Sequence, residues 1–130
     1  MRALVGTADG VFTVDLHEEV VLDLDADARV TPAAPPSVAL PRLVAAAASG
    51  STVVAVVDTR PPLAVSHDAG TTWKQAGGGL PKGRAIAIAE DDPELVLYAA
   101  RNRLYLSRDG GLFWSALAPE LPEIQAVAIE

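Results

Sequence analysis

Two stretches of this 130-residue sequence carry the same chemistry-bearing side chains at the same spacing. Ser66-His67-Asp68-Ala69-Gly70-Thr71-Thr72-Trp73 and Ser107-Arg108-Asp109-Gly110-Gly111-Leu112-Phe113-Trp114 both read Ser-x-Asp-x-Gly-x-x-Trp. A carboxylate two residues from a hydroxyl suits two kinds of work. It can move a proton or hold a cation, but either task needs convergent partners, and each turn offers a single carboxylate. It can instead accept hydrogen bonds from the N–H groups of its own turn. Glycine then supplies backbone angles that a side chain forbids, and tryptophan folds back to bury apolar area. The pattern therefore points to a structural role for Ser66, Asp68, Gly70, Trp73, Ser107, Asp109, Gly111 and Trp114, with no catalytic residue and no metal ligand among them.

The remaining candidates are weaker. His17 and His67 stand alone in turn-like contexts and read as solvated or locally bonded. Asp23, Asp25 and Asp27 alternate as in a calcium loop, but the Gly and the closing Glu of such a loop are missing. They read as a solvated acidic segment leading into Pro32-Ala33-Ala34-Pro35-Pro36. Gly77-Gly78-Gly79 has no Lys-Ser/Thr pair after it to open a phosphate-binding helix. Tyr98 and Tyr105 lie inside apolar runs and read as packing residues. No cofactor is expected.

Composition limits the field further. The chain has 10 Lys+Arg and 17 Asp+Glu, a net charge of −7, which disfavours nucleic acid as a partner. Half of the residues are hydrophobic and 21% are charged, so a packed core is expected rather than disorder. The absence of cysteine excludes disulfides and thiolate sites. No apolar run approaches the ~18 residues of a membrane helix. The first nine residues, Met1 to Asp9, meet Gly and Asp too early for a signal peptide, so a cytoplasmic location is expected.

The elements that must position these residues follow from an internal repeat. Asp109 follows Asp68 by 41 residues, and Leu121-Pro122 with Ala126-Val127-Ala128-Ile129 follows Leu80-Pro81 with Ala85-Ile86-Ala87-Ile88 by the same 41. A third Leu40-Pro41 precedes Leu43-Val44-Ala45-Ala46. The N-terminal Leu4 to Phe12 aligns without a gap on Leu97 to Tyr105, an offset of 93. That copy carries Leu16 where Asp109 would stand, so it has lost the turn motif and kept the strands. Each unit reads as four short strands: Arg42–Ala47, Thr52–Val57, Leu63–Ser66 and Thr72–Gln75 in the second, and Arg84–Ala89, Leu95–Ala100, Arg103–Ser107 and Leu112–Leu117 in the third. The alanine-rich stretch Leu43 to Ala48 has helical propensity, which the repeat overrides.

Four strands in ~40–45 residues is the size of a β-propeller blade. The Ser/Asp/Gly/Trp pattern resembles the Asp-box, or BNR, repeat of sialidase-like, sortilin-like and photosystem-assembly-factor-like propellers. The resemblance implies an all-β fold of four-stranded antiparallel blades, three per chain. Blade 1 would comprise residues 1–39 plus 123–130, blade 2 residues 40–79 and blade 3 residues 80–122. The C-terminal strand Ile124–Ile129 would complete the N-terminal blade, and two copies would close a six-bladed homodimer, with Ile124–Ile129 of one chain on Ala3–Gly6 of the other.

In such blades one end collects Arg60, Lys82, Arg84, Arg101, Asn102 and Arg103, a candidate face for a carboxylate or phosphate ligand. Asp9, Asp58, Glu120 and Glu123 share that end, while Asp68, Glu90, Asp91, Asp92 and Asp109 gather at the other. The sialidase-like resemblance lacks its chemistry: no Arg-Ile-Pro motif, no Tyr–Glu nucleophile pair and no acid Asp. The expected function is a non-catalytic scaffold or binding module for a protein or small acidic ligand. A sialidase-like glycosidase and an assembly factor for a larger complex are the alternatives.

Overall fold

The computed structural model describes residues 1–130. Alternating Val, Leu, Ile and Ala residues put every second side chain on one face, and the chain answers with twelve strands and no helix. No helix is therefore long and apolar enough to cross a membrane. The strands are β1 (Arg2–Thr7), β2 (Gly10–Asp15), β3 (Val20–Asp25), β4 (Leu43–Ser49), β5 (Thr52–Val57), β6 (Leu63–Ser66), β7 (Lys74–Ala76), β8 (Ala85–Ala89), β9 (Asp92–Ala100), β10 (Arg103–Ser107), β11 (Ser115–Glu120) and β12 (Ile124–Ile129). They form three four-stranded antiparallel sheets: β12-β1-β2-β3 (sheet 1), β4-β5-β6-β7 (sheet 2) and β8-β9-β10-β11 (sheet 3). The stretch Leu43 to Ala48 is strand, not helix, because β4 pairs along its length with the buried β5.

Sheet 3 lies between the other two. Val5, Val14, Ile124 and Val127 of sheet 1 share a core with Leu97, Leu104, Leu106 and Leu117 of sheet 3. Val54, Val56, Leu63 and Val65 of sheet 2 share a second core with Ile86, Val96, Tyr98 and Ala100 on the opposite side of sheet 3. The edge strands β4, β8 and β12 are the neighbours through which the sheets meet most closely. Neither core joins sheet 1 to sheet 2.

The structure corrects four sequence readings. β12 pairs with β1 of its own chain, Ala3 opposite Ile129 and Val5 opposite Val127, where pairing between two chains was expected. The strand burial explains the close fit: Ile124 is 1% and Val127 2% exposed. β11 starts at Ser115 rather than Leu112 and β7 at Lys74 rather than Thr72, since the N–H groups of Leu112 and Phe113 are taken by Asp109 and that of Thr72 by Asp68. β9 starts at Asp92, three residues early, around an irregularity in its pairing with β8. A further difference is one of linkage. β3 ends at one outer sheet and β4 begins the other, so residues 26–42 cross between them without a strand. On the way Val30 covers Gly6, where an added Cβ would meet Val30 Cγ2 at 3.2 Å.

Candidate functional site

The two Ser-x-Asp-x-Gly-x-x-Trp turns join β6 to β7 and β10 to β11. In the first, Ser66 Oγ donates to Asp68 Oδ1 at 2.7 Å and accepts from Gly70 N–H at 2.8 Å. Asp68 Oδ1 also accepts from Thr72 N–H at 2.8 Å, and Oδ2 from the Thr72 hydroxyl at 2.5 Å. Trp73 Nε1–H closes the turn on the Gly70 carbonyl at 3.1 Å. The second turn repeats the plan. Ser107 Oγ donates to Asp109 at 2.8 Å and accepts from Gly111 N–H at 2.9 Å. Asp109 Oδ1 takes the N–H groups of Leu112 and Phe113, and Trp114 Nε1–H reaches the Gly111 carbonyl at 3.0 Å. Gly70 and Gly111 sit at φ +89° and +97°, where a side chain is strained.

This wiring fixes the charge state of both carboxylates. Donation from the Thr72 hydroxyl, then from Thr72 N–H and the Ser66 hydroxyl, holds Asp68 down at about 2. Phe113 N–H and the Ser107 hydroxyl hold Asp109 below the usual carboxylate range. A carboxylate so stabilised as the anion is a poor proton donor near neutral pH.

Tyr98 is likewise occupied. Its side chain is fully buried, its hydroxyl donates to the Pro81 carbonyl at 2.8 Å, and burial pushes its pKa up. Its ring lies against Tyr105 and, edge-on, against Trp114, with centroids 6.2 and 6.1 Å away. Gly83 makes room for it: a Cβ there would stand 2.3 Å from the Tyr98 hydroxyl oxygen.

Three participants escaped the sequence reading. Thr72 supplies two of the bonds to Asp68. In sheet 1 the turn after β2 keeps a carboxylate after all: Asp15 Oδ1 accepts from His17 and Glu18 N–H, both at 2.9 Å. The gapless alignment placed Leu16 at the Asp position, so the carboxylate was missed by one residue. The Glu18 N–H bond is the main reason that Asp15 is held below its ordinary pKa. Glu19 Oε1 accepts from Ala118 N–H at 2.8 Å and ties this turn to β11. No motif announces it.

Asp23, Asp25 and Asp27 do not gather around a cation: Asp25 accepts from Asp27 N–H at 3.0 Å, and no three His, Asp or Glu side chains converge anywhere. His67 Nδ1 lies 3.4 Å from the Thr52 hydroxyl, and His17 is exposed.

The opposite end of the sheets carries the cationic loops. Arg84 N–H donates to the Ala99 carbonyl, Ile124 N–H to that of Arg101 and Leu121 N–H to that of Asn102. These bonds set the segments between sheets beside the β9–β10 turn. Lys82 pairs with Asp58 at 3.1 Å, which brings in the β5–β6 loop that holds Arg60. Arg103 pairs with Glu120 at 3.0 Å. Of the six residues predicted for this face, Lys82 and Arg103 are thus neutralised, whereas Arg60, Arg84 and Arg101 are exposed and outside both ion pairs, with Asn102 exposed beside them. A hollow of about 490 Å³ lies against sheet 1 between Gly6, Val11, Ala126 and the segment Ala28-Arg29-Val30.

No protein-family model matches the chain, and no curated protein matches it. Among solved structures it is similar to the GH74 enzyme of Niastella koreensis, at 23% identity and a TM-score of 0.49 over 88% of this chain. The chain spans 17% of the length of that enzyme. At this level of likeness nothing about activity passes from one protein to the other.

Proposed function

We propose that the chain is a non-catalytic β-propeller module of the Asp-box type whose cationic end binds an acidic small molecule or an acidic patch on a protein. One observation carries the reading. The side chains able to do chemistry are spent on the fold: Asp68 and Asp109 on their own turns and Tyr98 on the Pro81 carbonyl. Three arginines on ordered loops stay exposed outside the ion pairs. Guanidinium groups grip carboxylates through paired N–H donors, which suits them to recognition rather than turnover. A second reading, an assembly factor for a larger complex, draws on the exposure of Leu112 and Phe113, 75% and 79%, at the tip of the second Asp turn. Exposed large apolar side chains of this kind favour a protein partner.

The test uses citrate as a tricarboxylate probe. Millimolar citrate is expected to raise the melting temperature of the native chain and not that of the Arg60→Ala/Arg84→Ala/Arg101→Ala variant. An equal response from both would remove the cationic end from the proposal. Turnover of a fluorogenic sialoside that disappears in Tyr105→Phe would replace the binding module with an enzyme.

A further inference from the structure

The outward faces of sheets 1 and 2 are built like the two faces already in contact within the chain, yet no other sheet packs on them, and on sheet 1 Val30 of the 26–42 segment lies against Gly6. In sheet 3 the row Ile86–Tyr98–Tyr105 crosses β8, β9 and β10 and faces sheet 2. The same row in sheet 2 is Ala46–Ala55–Ala64, crossing β4, β5 and β6 on the face turned away from sheet 3. In sheet 1 the outward rows are Ala128–Leu4–Thr13 and Ala126–Gly6–Val11. Across these three strands the rows carry no charged residue, whereas the outermost strand β3 sets Asp23 beside Thr13 and Asp25 beside Val11, and a neighbouring row of sheet 1 is Arg2–Asp15. Leu43 and Val44, at the edge of sheet 2, are 39% and 47% exposed.

Surface area argues the same way. The chain exposes 7178 Å². A compact monomer of 13.5 kDa would expose about 6500 Å². The excess approaches the ~800 Å² per partner of a standard interface.

We infer that a second copy of this chain covers both faces: the outward face of sheet 1 packs on the outward face of sheet 2 of its partner, twice, around a two-fold axis. This contact continues the two interfaces that sheet 3 already makes. Three sheets from each copy give six, inside the ~4–8 blades over which propellers close. Because β12 fills the place beside β1, the ring needs no strand exchange. The inference concerns the sheet faces and is independent of what the cationic loops bind.

Sedimentation velocity at micromolar concentration tests it, on the native chain and on Thr13→Arg and Ala64→Arg, one charge on each face. The native chain is expected at twice 13.5 kDa. Each variant is expected at the single-chain mass with its β-sheet circular dichroism kept, because both positions are half-buried on outward faces. If one variant fails to fold, the other reads the same contact from the opposite side. A native monomer, an assembly larger than two, or folded variants that remain dimers would each overturn the inference.

Discussion

At the scale of residues, Asp68 and Asp109 each serve as the hub of a turn. Asp68→Ala removes the acceptor for Thr72 N–H and for two hydroxyls, and Asp109→Ala strands the N–H groups of Leu112 and Phe113. Each substitution is expected to lower the melting temperature by roughly 5 °C, checked by calorimetry. The stabilisation also has a pH signature. The folded-state pKa of Asp68, about 2, lies below its ordinary 3.8. Its contribution is therefore complete well above pH 3.8 and fades as pH falls through 3.8 towards 2. Between pH 4 and pH 2 the native chain should lose more stability than Asp68→Asn, which has no carboxylate to protonate. Equal losses would show that Asp68 is not held as the anion. The Ser, Asp, Gly and Trp of these turns were legible because two copies align; Thr72 was not, since the second copy has Phe113 there and replaces the hydroxyl with a backbone N–H. Asp15 escaped for a related reason, a shift of one residue in a turn with no second feature to mark it.

Elements were legible where alternation is strong. β5, β6, β10 and β12 run over the spans read from sequence because their inward residues are large and their bounding turns carry Gly, Asn, Asp or Pro. Boundaries moved where side chains compete for backbone donors, as at β11, or where pairing is irregular, as at β9. The partner of β12 was the reading that changed. Sequence complementarity states that β12 and β1 belong together, and it does not state that they come from two chains. Residues 26–42 give one chain enough reach to make the pairing itself. β12 should therefore be indispensable to the single chain. Fully burying residues such as Ile124 and Val127 contributes ~1.5–3 kcal/mol each, and the strand satisfies the ladder of β1 besides. Deleting residues 124–130 is expected to abolish cooperative melting of sheet 1, or to give aggregate, as followed by calorimetry and sedimentation. A truncated chain that melts as sharply as the native one would contradict the role of β12.

On the scale of the whole molecule, the order of sheets in space, 2–3–1, leaves an arc with two open sides. Sequence repeats predicted the sheets and their number, because each repeat must bury its face against a neighbour. They did not predict which faces remain open, because that depends on where the linker carries sheet 1. The sheet faces on which no other sheet packs and the excess surface of the single chain carry the inference that a second copy closes the arc. Small-angle X-ray scattering of the native chain at micromolar concentration tests this most directly. A closed pair should scatter as a particle of twice 13.5 kDa with a radius of gyration of about 18 Å, the compact value for that length. A particle of 13.5 kDa with a radius of about 14 Å would contradict the six-bladed ring.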